Sequence, residues 1–109
     1  MKSRKKRLSE KMLQEIVRRI VEVAKPERII LFGSAARGEM GLDSDLDFLV
    51  IKRCGHRRKT ARKIERSLIG MKIPTDIIVA TPEDIHRYKD TIGLIFRPAL
   101  REGRTVYAA

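Results

Sequence analysis

Two short runs decide most of what this chain can fold into. Asp47 is followed by Phe48-Leu49-Val50-Ile51, and Asp76 by Ile77-Ile78-Val79. Read from Asp45, the first run alternates at its start and turns fully apolar at its end, the pattern of a strand that begins exposed and finishes in a core. The second likewise follows an acid with apolar residues. A third run, Ile29 to Phe32, is closed by Gly33 and reads as a buried strand. These runs predict strands over 45–51, 75–80 and 29–32.

Helical patterns separate them. From Ser9 to Ala24 the apolar residues Met12, Ile16, Ile20 and Ala24 recur every fourth position, with Leu13 and Val17 beside them. That spacing predicts an amphipathic helix ended by Pro26. Lys52 to His56 turns around Gly55. A basic helix then runs from about Arg57 to Ile69 on a stripe of Ala61, Ile64 and Leu68. Thr81 is a good N-cap, with Pro82 in the first helical position and Glu83 and Asp84 in the first turn. Ile92, Ile95, Phe96 and Ala99 make another stripe, kinked or restarted at Pro98 and stopped by Gly103. Arg104 to Tyr107 adds a short final strand. The expected fold is α/β, a small mixed sheet of three or four strands with helices packed on it. At 109 residues there is room for a single domain over 1–109.

Three carboxylates stand where chemistry is expected. Asp45 and Asp47 are two apart, so a strand points both to one face, roughly 7 Å apart along the chain. Two like charges at about 4 Å cost near 4 kcal/mol at an effective dielectric of about 20. A divalent cation offsets that cost directly, and magnesium favours carboxylate oxygens together with substrate phosphates. An isolated Asp-x-Asp is otherwise read as two acids capping a solvated strand end. Asp76 changes the balance: if its strand neighbours that of Asp47, all three acids surround one site. Gly33-Ser34 lies directly after a buried strand. The glycine lets the backbone turn and approach a ligand, and the serine offers a hydroxyl and an amide to phosphate. Arg37 either contacts phosphate or pairs with Glu39 or Asp43, whereas Gly38 serves loop geometry.

Gly33-Ser34, ten residues, then Asp45-x-Asp47 resembles the signature of the DNA-polymerase-β-like nucleotidyltransferases. Gly33-Ser34-Ala35-Ala36-Arg37-Gly38 with Ser44-Asp45-Leu46-Asp47-Phe48-Leu49-Val50 looks like the minimal nucleotidyltransferase (MNT) family. The resemblance extends to the leading helix, the Asp76 strand and the closing Glu102-Gly103-Arg104-x-x-Tyr107; Pro98 departs from it. It implies a nucleotidyltransferase fold in which Asp45 and Asp47 ligate two magnesium ions and Asp76 the catalytic one. Gly33 and Ser34, with Ser44 and Arg37, would hold the phosphates of ATP. A two-metal site of this kind stabilises both the attacking and the leaving oxygens. Positioning and charge neutralisation carry such a reaction, with no catalytic histidine. Minimal members are similar to antitoxins that pair with a HEPN-domain toxin and attach AMP to one of its tyrosines. The implied activity is therefore protein adenylyltransfer. The alternatives are an antitoxin that neutralises its partner by binding alone, and an enzyme acting on RNA ends.

Charge and composition set the remaining bounds. There are 25 Lys and Arg against 14 Asp and Glu, a formal +11. That field attracts phosphate-bearing ligands, nucleic acid or an acidic protein, and thermal adaptation accounts equally well for part of it. Lys52, Arg53, Arg57, Arg58, Lys59, Arg62, Lys63 and Arg66 form a dense cluster, read as a solvated face or a dock for RNA or an acidic partner. No aromatic residue interleaves to stack bases, so nucleic acid is not favoured. His56 and His86 are too isolated for a metal site, and Tyr88 and Tyr107 suit a core or an interface. Cys54 is alone, which excludes an internal disulfide and fits a reducing compartment. Apolar runs are too short to span a bilayer, and no apolar stretch follows the basic start, a tail expected to fray. A cytoplasmic location with no membrane contact is the expectation.

Overall fold

The computed structural model describes residues 10–33, 46–71, 73–88, 99 and 101–109. Its elements run α1 (Glu10–Ala24), β1 (Arg28–Phe32), β2 (Leu46–Ile51), α2 (Arg57–Ser67), β3 (Thr75–Ala80), α3 (Pro82–Tyr88) and β4 (Arg104–Ala108). The four strands form one mixed sheet in the order β3-β2-β1-β4. Strand β1 pairs antiparallel with β2 and β4, and β2 pairs parallel with β3. The expected α/β sheet with packed helices is what forms.

The period-two rule divides the sheet into two faces. On one, Ile29, Leu31, Leu46, Phe48, Val50, Ile77 and Val79 pack with Leu13, Ile16, Ile20 and Ala24 of α1 and with Ile64 of α2. On the other, Ile30, Phe32, Leu49, Ile51 and Ala80 pack with Ala99 and with Ile85 of α3. Met12 lies beside the α1 stripe, only partly buried, while Leu13 sits within it.

Local chemistry sets the ends of the elements. After α1, Lys25 takes a left-handed φ of 48° before Pro26. Helix α2 stops at Ser67, two residues earlier than its pattern suggested. There the Leu68 N–H donates to the Glu65 carbonyl at 3.1 Å and the Ile69 N–H to the Arg66 carbonyl at 3.2 Å, and Gly70 adopts φ 97°. Ile69 is left 76% exposed, because the chain has already turned away from the core. Thr81 caps α3 as read, and Asp84 reciprocates. The Thr81 hydroxyl accepts from the Asp84 N–H, and the Asp84 carboxylate accepts from the Thr81 N–H, both at 3.1 Å. Burial pushes the Asp84 carboxyl up, but the Thr81 N–H, the Arg57 guanidinium and the Thr81 hydroxyl outweigh it and hold the group below its usual range.

Strand β4 extends to Ala108 and meets β1 through a register shift between Ile29 and Ile30. Gly103 permits that meeting. Its N–H bonds the Ala99 carbonyl at 2.9 Å, and a Cβ there would lie 2.2 Å from that oxygen and 2.4 Å from Ile30 Cγ2. Residues 1–9 and 34–45, the stripe residues Ile92, Ile95 and Phe96, and Pro98 lie outside the described residues.

Candidate active site

Strand register brings the predicted acids together. Asp47 and Asp76 are directly paired on neighbouring parallel strands. Paired residues share a face, and strands lie about 4.8 Å apart, so the two carboxylates stand side by side. Both lie on the Leu49–Ile51 face, at the end where β2 and β3 begin. The Leu46 N–H donates to the Pro74 carbonyl at 2.9 Å and fastens the two strand starts to each other. Asp47 is half-buried, whereas Asp76 is exposed and has no ion pair among the described residues.

The end of β1 closes the third side. Phe32 pairs with Asp47 across the antiparallel ladder, and Gly33 follows with φ 79°. A Cβ on Gly33 would sit 2.6 Å from Asp47 Oδ2. The glycine therefore does two things at once. It supplies a left-handed turn that other residues resist, and it leaves open the space against the Asp47 carboxylate. Its closeness to the acid, and not the turn alone, is what the chain pattern did not reveal.

The donors present suit a hard divalent cation. Two adjacent carboxylates repel by about 3 kcal/mol at roughly 5 Å and an effective dielectric of about 20. Oxygen ligands beside an open cradle are what magnesium takes when it shares a site with phosphates. Among the described residues no group of three or more His, Cys, Asp or Glu side chains gathers as a metal site. Asp45, Ser34, Arg37 and Ser44 lie outside the described residues, so Gly33, Asp47 and Asp76 are the predicted site positions that can be placed. They are placed together.

A hollow lies elsewhere. A groove of about 670 Å³ between α1 and β4 is lined by Leu13, Val17, Val21, Val106 and Tyr107, with Glu10, Arg18 and Arg104 among its charged residues. It is on the far face from Asp47 and Asp76. Its signal in the sequence was Val17 and Val21, apolar residues beside the α1 stripe that stay only partly buried. Tyr107 is half-buried there, as a core or interface residue would be. No helix among the described residues is long and apolar enough to cross a membrane.

Known structures share this fold. A protein assigned as a nucleotidyltransferase from Sulfolobus solfataricus superposes with a TM-score of 0.60 at 20% identity, over 90% of this chain and 78% of the other. A mutant of the toxin–antitoxin MntA–HpeT gives 0.63 at 13% identity, over 94% and 75%. A toxin–antitoxin with AMP-PNP gives 0.59 at 19% identity, again over 94% and 75%. Likeness at these identities speaks for the fold. The comparison with curated protein sequences gives no match. Residues 10–100 match the family described as nucleotidyltransferase domain, a span that takes in Gly33 and both paired acids. The chain belongs to the nucleotidyltransferase domain family.

Proposed function

We propose that this single domain uses Mg-ATP to transfer AMP to a protein hydroxyl, a tyrosine of a HEPN-domain toxin, and so acts as the antitoxin of that toxin in the cytoplasm. The observation that carries the reading is the direct pairing of Asp47 with Asp76 beside the Gly33 cradle. Membership of the nucleotidyltransferase family supports the reaction class. Similarity to the MntA–HpeT toxin–antitoxin and to a toxin–antitoxin with AMP-PNP supports the partner and the nucleotide.

In this reading Asp45 and Asp47 would hold two magnesium ions, and Asp76 would share in holding one of them. Bound magnesium supplies charge neutralisation for the triphosphate and for the attacking oxygen. The backbone at Gly33 and Ser34, helped by Ser44 and Arg37, grips the phosphate tail. The tyrosine oxygen attacks the α-phosphorus while the bond to the β-phosphate oxygen breaks, and pyrophosphate leaves. The hydroxyl proton passes to a carboxylate oxygen of exposed Asp76 or to water.

The test is mass spectrometry of a cognate HEPN partner after incubation with this protein, ATP and magnesium. A partner heavier by one AMP is expected, and an unchanged partner mass counts against transfer. A second reading, neutralisation by binding alone, is separated by Asp47→Asn. Neutralisation that survives this change favours binding. Its loss with the complex still formed favours catalysis.

A further inference from the structure

Helix α2 breaks the rules that the rest of the surface obeys. Its first turn carries Arg57, Arg58 and Lys59 and no acid, and its N-cap, His56, makes no side-chain capping bond. Cations at a helix N-terminus oppose the macrodipole. Arg57 is committed to Asp84. The side chains of Lys59, Arg62, Lys63 and Arg66 make no ion pair or hydrogen bond among the described residues. They recur at three and four residues, so they share one helix face as a stripe of like charges.

All four are exposed, on the side of α2 away from buried Ile64 and Leu68. They line an open groove of about 470 Å³ together with His56 and Thr60. From Lys59 to Arg66 the stripe runs about 10.5 Å. Each strand of a duplex carries a phosphate about every 3.4 Å of helix axis, so a stripe laid along that axis spans about three steps of the backbone. Helix α2 packs on the sheet face opposite the one that presents Asp47 and Asp76. The stripe is therefore separate from the pocket assigned to the nucleotide.

The chemistry of this face selects among polyanions. A protein interface has a core of apolar and aromatic side chains and is depleted in lysine. The α2 face has no exposed apolar residue: the one exposed large hydrophobic among the described residues is Ile69, beyond the helix end. Single-stranded nucleic acid is held by aromatic stacking platforms, and none stands here. Lysine and arginine alone, in a line, suit the backbone of a duplex. We infer that the α2 stripe of Lys59, Arg62, Lys63 and Arg66 docks the phosphate backbone of double-stranded nucleic acid, without reading its sequence.

The experiment measures affinity for short mixed-sequence DNA and RNA duplexes by fluorescence anisotropy, with salt varied from about 50 to 200 mM. Three proteins are compared: the wild type, K59Q/R62Q/K63Q on α2, and K11Q/K25Q/R101Q as a control that removes the same charge elsewhere. Losing three phosphate contacts should make the log–log salt slope shallower by about 2–3 for the α2 variant, and by less than about 1 for the control. Two duplexes of unrelated sequence should bind alike, and a preference for the RNA or the DNA form identifies the source. Glutamine keeps good helix propensity, so unchanged circular dichroism is expected; K59R/K63R should retain the wild-type slope. No binding by the wild type at about 50 mM salt overturns the inference, as do equal slope losses in the two triple variants. Tighter binding of single strands, or displacement of duplex by polyglutamate as readily as by duplex, overturns it equally.

Discussion

The two faces of β2 are made by alternate residues of one strand, yet they answer to different demands. Leu46, Phe48 and Val50 point under α1 and α2 and are wholly buried. Asp47, Leu49 and Ile51 point the other way, and that face begins with a carboxylate paired to a second carboxylate. The first face is explained fully by burial of apolar surface. The second is not, since repulsion between the acids is retained where an apolar or amide residue would fit the strand as well. Two carboxylates kept side by side next to a glycine are what the proposed cation site requires.

The sharpest way to break this contrast is to damage each face and compare what is lost. Phe48→Ala should have the largest effect, about 3–5 kcal/mol of stability, read as a fall in the denaturant midpoint. It acts through the cavity left under α1 and α2. Gly33→Ala, at the edge of the acid face, should cost about 1–2 kcal/mol for the left-handed backbone. Its larger consequence should be functional. The new methyl would lie 2.6 Å from Asp47 Oδ2 and push it aside, so nucleotide affinity measured by calorimetry should fall further than the change in stability accounts for.

Smaller changes test whether the surroundings of the two faces are purely structural. Thr81→Ala removes one half of the reciprocal cap on α3 and should cost about 1 kcal/mol in thermal unfolding, with nucleotide binding intact. On α1, Glu15 accepts from Arg18 at 2.7 Å and from Arg19 at 2.9 Å, and these guanidinium groups hold its carboxyl at about 2 instead of 4.5. A carboxyl lowered on folding stabilises above its unfolded value and loses that contribution as the pH falls through its folded value. The difference in melting temperature between wild type and Glu15→Gln should thus be present at neutral pH and fade between about 4.5 and about 2. This is the smallest of the effects, because the pairs are exposed.

Much of this was legible before any coordinates, for identifiable reasons. Period-four burial in α1 and the acid-then-apolar runs of β2 and β3 are local patterns, and burial acted on them as expected. The neighbourhood of Asp47 and Asp76 was conditional in the sequence, because pairing between distant strands is decided by packing. The resemblance carried by Gly33, Asp45 and Asp47 anticipated the family. Other features had no local signal. The bulge between β1 and β4 arises where Gly103 lets the chain approach Ile30. Arg57 reaching Asp84 depends on how α2 and α3 meet at the end of β3. Asp84 was read as a first-turn acid that suits the dipole, and it proves to be a capping partner as well. Charge pairing behaves likewise: Glu15 is engaged by two arginines on α1, whereas the α2 stripe forms no ion pair among the described residues, a distinction that counts of residues conceal.

The central claim is that Asp47 and Asp76 together bind a divalent cation with a nucleoside triphosphate. Electron paramagnetic resonance of Mn²⁺ titrated into the protein with a non-hydrolysable ATP analogue reads this directly. Bound manganese is expected for the wild type, with strong loss in both Asp47→Asn and Asp76→Asn while circular dichroism and melting are unimpaired. Manganese bound equally well by both folded variants would contradict the account.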